Sequence, residues 1–198
     1  MYKRFFKRLI DLTISIFSLP FFFVIFIVVA PIVFLTDKGP VFYNSDRIGY
    51  KGKVFKMFKF RSMKVNAPDI RNEDGSTFNS EDDPRVTKIG KILRKTSIDE
   101  VPQVINVLKG DMSVVGPRPT IPFKGFNYEK LDGIQKKHYQ VRPGITGYSQ
   151  AFFRNSITQD EKFKNDAYYV DNVSLLLDIK VFFKTISSVL NRKNIYTK

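Results

Sequence analysis

Twenty-four consecutive residues without a charge, Leu12 to Leu35, constrain this chain more than any other feature. As a helix they would extend about 36 Å, enough to cross a hydrocarbon core of roughly 30 Å. A secretory leader shares the basic start of Met1–Arg8, but its apolar region runs to about 7–15 residues, so length argues against one. Two topologies stay open on the residues alone. In the first, the helix spans the bilayer. In the second, it enters, bends and leaves on the same side. Pro20 lies inside the run and removes a backbone hydrogen bond, and Ser15 and Ser18 are placed to satisfy carbonyls that a bend would free. Basic residues flank both ends: Lys3, Arg4, Lys7 and Arg8 before, and Lys38, Arg47, Lys51, Lys53 and Lys56 after. Lys and Arg mark the cytoplasmic side, so matching flanks favour two cytoplasmic ends. Pro31 is a candidate helix end.

The remaining charge follows a pattern. The net charge of +14 in 198 residues points to nucleic acid, an anionic membrane or phosphate-bearing ligands. Residues 1–64 hold twelve Lys/Arg against three acids, whereas residues 65–83 hold six acids against Arg71 alone. The stretch 64–83 therefore reads as a mobile acidic loop facing away from the membrane. With no cysteine, disulfides and thiolate metal sites are excluded.

Beyond Gly39-Pro40, alternating apolar and polar residues with Gly49 and Gly52 between them predict a short hairpin. Residues 84–95 read as a basic amphipathic helix, and Ile98 to Leu108 as another, with Gly110 near its end. VGPRP (115–119) and the Pro-Gly of VRPG form rigid turns. Leu175–Leu190 is a last helix with a heavy apolar face, suited to a membrane interface. The fold class expected is α+β, mainly helical. Residues 1–36 form the membrane helix and its basic flank, and residues 37–198 a membrane-associated catalytic domain.

Ser97-Ile98-Asp99-Glu100 is the central chemical feature. Ser followed three residues later by Glu is a capping box opening a helix. A carboxylate in that first turn would also sit at the positive end of the dipole, ionised and near any phosphate drawn there. An ionised Asp99 is a competent nucleophile towards phosphorus. Glu100 points elsewhere on the helix, free for a cation or a proton. Lys59, Arg61, Arg118 and Arg142 lie at turns and strand ends and are candidates for holding a diphosphate. His138, the single histidine, reads as a surface residue between KK and YQ.

These pieces resemble the small monotopic phosphoglycosyl transferases of bacterial glycan assembly, also called the bacterial sugar transferase family. The resemblance runs through KRLIDL, GPVF, DRIGYKGKVFKMFKFRSM, DPRVTKIGKILRKTSIDEVPQVINVLKGDMSVVGPRP, VRPGITG and DAYYVDNVSLLLDIKVFFKT. It implies that Asp99 attacks the β-phosphate of a UDP-sugar, expels UMP, and passes the sugar phosphate to undecaprenyl phosphate or a similar polyprenyl phosphate. Glu100 would assist with Mg²⁺ or a proton, Asp99 would contact the metal, and Lys59 and Arg118 would bind phosphate. A divalent cation also makes physical sense where two anions must approach each other. The resemblance further implies a re-entrant helix bent at Ser18 and Pro20, interfacial helices, and a catalytic domain on the cytoplasmic face of the inner membrane. Its lipid, the UDP-sugar and downstream glycosyltransferases are then the expected partners, and nucleic acid is not. A basic membrane-tethered binding or scaffold protein without catalysis is the alternative. Two places depart from the family's pattern. A contiguous Ser-Pro is replaced by Ser18-Leu19-Pro20, and a Gln-Val-Asn-Gly-Arg run by Gln150-Ala151-Phe152-Phe153-Arg154.

Overall fold

A single long helix underlies the architecture. The computed structural model describes residues 1–70, 78, 80, 82–154 and 156–190. Helix α1, Lys7–Asp37, follows a π-helical turn at Tyr2–Phe6 and remains helical through Pro20 and Pro31. Ser18 Oγ donates to the Ile14 carbonyl at 2.8 Å, whereas Ser15 Oγ is buried without a partner. One stripe of α1, with Lys7, Asp11, Ser15, Phe22, Val29 and Val33, is buried along its whole length. The rest of its surface, including Phe17, Phe21, Ile27 and Leu35, is apolar and exposed. Among the described residues α1 is the one helix long and apolar enough to cross a membrane.

The chain then forms the expected hairpin. Strands β1 (Phe42–Ile48) and β2 (Val54–Phe60) pair antiparallel, with Tyr43 opposite Lys59. The 3₁₀ turn Tyr50–Gly52 joins them. Helix α2 (Lys88–Thr96) starts four residues later than 84–95 would place it, because the side chain of Thr87 caps it through Gly90 N. Residues 71–77, 79 and 81 of the acidic stretch lie outside the described part. Its last acid, Asp83, is buried in an ion pair with Arg85 at 2.6 Å rather than displayed on a loop.

A 3₁₀ turn, Ile98–Glu100, precedes α3 (Gln103–Lys109), which Gly110 ends at φ 90°. Strand β3 (Ser113–Val115) pairs in parallel with β4 (Gly144–Thr146). A Cβ on Gly116 would strike the Arg142 carbonyl, and one on Gly144 would strike Gly116, so only glycine allows this approach. Four helices complete the body: α4 (Gly133–His138), α5 (Tyr148–Phe152), α6 (Gln159–Asp171) and α7 (Leu175–Leu190).

Apolar packing joins α1 to this body. Phe22, Val29 and Val33 share a cluster with Phe60, Leu93 and Val104. Phe26, Phe42 and Phe60 stack at centroid distances of 5.6–6.4 Å. Charged groups hold both ends. At the N-terminal end Lys7 Nζ and Tyr2 Oη each donate to Asp178 Oδ2 of α7 at 2.6 Å, and Asp11 accepts from Ser113 Oγ and Val114 N. At the C-terminal end Arg61 grasps both oxygens of Asp37 at 2.6 Å. The fold is thus α+β, mainly helical, with short strands and one long apolar N-terminal helix.

Candidate active site

Asp99 and Glu100 sit where α2 turns into α3. Ser97 ends α2 in the left-handed conformation, φ 59° and ψ 16°, a cost a non-glycine residue accepts only where its surroundings enforce it. The anchoring is apolar, with Leu93 buried on α2 and Ile98 and Val101 packed against the same cluster. Gly90 permits it, since a Cβ there would meet the Ser62 backbone. The expected capping box does not form: Ser97 makes no side-chain cap. Glu100 instead turns to two cations. Its Oε1 accepts from Lys59 Nζ at 2.6 Å and from Arg118 Nη2 at 2.9 Å.

Both cations are delivered by structure. Lys59 lies near the end of β2, whose free edge pairs with the side chain of Asn106 on α3. That amide donates to the Lys56 carbonyl at 2.7 Å and accepts from Phe58 N at 2.9 Å, imitating a neighbouring strand and fixing β2 against α3. Arg118 follows β3 in the VGPRP turn, where Gly144 N donates to the Pro117 carbonyl and Gly116 N to the Thr146 carbonyl. Nothing in the local sequence around Asn106 announced this role.

The two acids are electrostatically unlike. Asp99 is only 8% exposed, and no described residue donates a hydrogen bond to its carboxylate. Burial pushes its pKa up to about 6, with Glu100 adding to the rise and Lys59, Arg94 and Arg118 opposing it. Burial also opposes ionisation of Glu100, but the attraction of Arg118 and Lys59 outweighs it and holds that carboxyl well below the usual range. Desolvation thus outweighs any help from the turn that holds Asp99, a single 3₁₀ turn, but leaves the carboxyl ionisable at neutral pH. Near pH 7 Asp99 is mostly ionised, with lone pairs uncommitted, while Glu100 is locked as a counter-ion. Arg94, missed in the sequence, also acts on Asp99 and donates from Nε to Ser62 Oγ at 3.0 Å. Its place five residues before Asp99, in the last turn of α2, was the available signal.

Arg61 and Arg142 are not brought here. Arg61 is buried against Asp37 and the Pro40, Val33 and Met63 carbonyls, where it secures the end of α1. Arg142 Nε donates to the Gly110 carbonyl at 2.8 Å at the opposite end of α3, beside Arg8, which donates to Val107 and Leu108. His138 is not on the surface. It is 5% exposed and paired through Nδ1 with Asp166 at 2.8 Å, and Asp166 also accepts from Ser149. This trio joins α4, α5 and α6 without touching Asp99 or Glu100.

The donor set suits a Mg²⁺ ion only in part. No group of three or more Asp, Glu or His residues gathers among the described residues. One free carboxylate, with Glu100 Oε2 beside it, matches the usual Mg²⁺ habit of taking one or two protein carboxylates and completing its shell with substrate phosphates and water.

Comparison with known proteins follows the same lines. The family description "Bacterial sugar transferase" matches residues 2–192. The chain is 43% identical over 192 residues to the galactosyl transferase CpsE of Streptococcus agalactiae, covering 93% of this chain and 42% of that protein. It is 43% identical over 185 residues to the uncharacterized sugar transferase EpsL of Bacillus subtilis, covering 93% of this chain and 87% of the other. It is 37% identical over 211 residues to the undecaprenyl-phosphate galactose phosphotransferase of Salmonella typhimurium, covering 98% and 42%. The chain thus spans less than half of the streptococcal and Salmonella relatives and most of the Bacillus one.

Proposed function

The chain belongs to the bacterial sugar transferase family, and we propose that it transfers a sugar phosphate from a UDP-sugar to a polyprenyl phosphate such as undecaprenyl phosphate. The observation that carries this reading is the division of labour in the dyad. Glu100 is claimed by Lys59 and Arg118, and the neighbouring buried Asp99 is left with free lone pairs.

In the first step Asp99 attacks the β-phosphorus of the donor. An Asp oxygen–phosphorus bond forms, the bond from that phosphorus to its bridging oxygen breaks, and UMP leaves with the oxygen. In the second step a phosphate oxygen of the polyprenyl phosphate attacks the same phosphorus. The acyl-phosphate bond breaks, a lipid diphosphate is made and the Asp99 carboxylate is restored, so no net proton is needed. Lys59 and Arg118 lie one contact from Asp99 and stabilise the charge gathering on the phosphoryl oxygens. Burial serves the attack as well, since a carboxylate raised towards pKa 6 is more basic than one in water. When bound, Mg²⁺ held by Asp99 would reduce the repulsion between the donor diphosphate and the carboxylates.

The topology proposed is re-entrant. A spanning helix places its ends on opposite sides of some 30 Å of hydrocarbon, yet Lys7, Asp11 and Asp37 at both ends of α1 are all tied to the same polar body. Basic flanks at both ends support assigning that body to the cytoplasmic face of the inner membrane, where the glycosyltransferases that extend the lipid-linked product would follow.

The test is UMP release from a panel of UDP-sugars with polyprenyl phosphate and Mg²⁺, together with trapping of a radiolabelled donor on the protein. Label retained by the native chain and absent from Asp99→Asn supports the reading. Transfer that needs both substrates bound at once, with no protein adduct, refutes it.

A further inference from the structure

Helix α7 carries two lysines that neither the dyad nor the fold uses. At about 100° per residue, Leu175, Leu176, Ile179, Phe182, Phe183 and Ile186 occupy one arc of about 120°, and all are exposed, Leu176 by 79% and Phe183 by 64%. Asp178 and Val181 lie on the other side of the helix and face the body. Lys180 and Lys184 fall between these faces, about 100° and 140° from the midline of the apolar arc. A helix lying in a membrane interface with its apolar arc downward carries such flanks at the level of the lipid headgroups.

The two ammonium groups converge on one ring. Lys180 Nζ lies 5.8 Å and Lys184 Nζ 5.7 Å from the centroid of Phe152, on which Tyr148 stacks at 4.7 Å. Neither lysine has an ion-pair partner among the described residues, so both charges are open to an anion. Phe152 is one of the residues that depart from the family's pattern in the run after Gly147. The ring orders the two cations, and both residues are exposed.

We propose that Lys180 and Lys184, ordered on Phe152, bind the phosphodiester headgroup of an anionic phospholipid in the leaflet on which α7 lies. The lipid is favoured over a soluble nucleotide phosphate because the lysines border the exposed apolar arc, where acyl chains would run. The contact has a mechanical outcome. Thr185 of α7 hydrogen-bonds Thr146 of β4 at 2.6 Å, so a lipid held at α7 sets the height of the β3–β4 pair, and of Arg118 beyond it, above the bilayer. The site rests on the membrane reading above but not on the phosphoryl chemistry.

Its test uses no turnover. The full chain, which lacks native cysteine, is given a single fluorophore through Phe183→Cys and placed in phosphatidylcholine nanodiscs. These contain an equal small fraction of either headgroup-adjacent spin-labelled phosphatidylglycerol or spin-labelled phosphatidylcholine. Quenching is expected to favour phosphatidylglycerol by about fivefold per lysine at low salt and to lose that preference as salt is added. Lys180→Gln with Lys184→Gln abolishes the preference while both lipids still quench, and the double Glu variant reverses it. Equal quenching by the two lipids in the parent, or a preference that survives the double Gln change, overturns the site but leaves the membrane reading intact. No quenching by either lipid overturns both.

Discussion

Replacing Asp99 by asparagine should abolish turnover and make the protein more stable at neutral pH. Burial raises this carboxyl from 3.8 to about 6. At about 1.4 kcal/mol per pH unit, the ionised form costs the fold about 3 kcal/mol relative to the unfolded chain. An amide of the same shape avoids that cost. For a chain of this size each kcal/mol moves Tm by about 2–4 °C, so the variant should melt about 6–12 °C higher at pH 7.5. The sign can be checked through pH. The folded pKa lies above the unfolded one, so the penalty is complete above about pH 6, fades as pH falls towards 4, and vanishes below that. At pH 4.5 the advantage of asparagine should have shrunk to about a third of its neutral value. Circular dichroism at 222 nm on detergent-solubilised protein, with chelator present, reads both. A variant that melts no higher than the parent at pH 7.5, or one whose advantage is undiminished at pH 4.5, would show that Asp99 is not a strained, desolvated anion.

Other consequences follow from the same geometry. Because the ionised form of Asp99 attacks, kcat/KM for the UDP-sugar should rise with pH through about 6 and level above it; a flat profile between pH 5 and 8 would remove Asp99 from the first step. Arg118→Ala deletes a charge-assisted contact to Glu100 and should lower kcat/KM by about 10- to 100-fold with little change in melting, because its side chain is half exposed. Asp178→Asn leaves Lys7 without its counter-ion and weakens the bonds from Tyr2 and Tyr169. An expected loss of about 3–5 kcal/mol should appear in thermal or denaturant melts, and a loss under 1 kcal/mol would mean that the α1–α7 tie carries little stability. Single cysteines at Lys3 and Lys53, both exposed, should react with an impermeant maleimide only when the cytoplasmic side is open; labelling of either from the periplasm would establish a spanning helix. Ser62 is unsuited to this purpose because it is buried beneath Arg94.

Much of the architecture could be read from local pattern. Alternation plus Gly49 and Gly52 specified the hairpin, Gly110 ended α3, and the last helix runs from Leu175 to Leu190 as its apolar periodicity requires. The dyad with Lys59 and Arg118 was also legible, because those residues stand in short, ordered motifs. Direction was not. Arg61 and Arg142 occupy rigid turns just as Arg118 does, but a rigid turn says where a side chain starts and not which way the turn faces; long-range packing decides that. The capping box failed for a related reason: Lys59 and Arg118, 41 and 18 residues away, outbid a local N–H for the Glu100 oxygens. His138 was misjudged because its basic neighbours point to solvent, whereas its partner Asp166 is 28 residues away. Asn106 reads as an ordinary helical residue until β2 is known to have a free edge.

The bonds between Tyr2, Lys7 and Asp178 span 171–176 residues, so the earliest and latest synthesised parts of the described fold meet in one contact. During translation α1 is made long before α7, so Lys7 is without the carboxylate that later buries it until residue 178 is added. Closure of this end of the body therefore depends on the last helix.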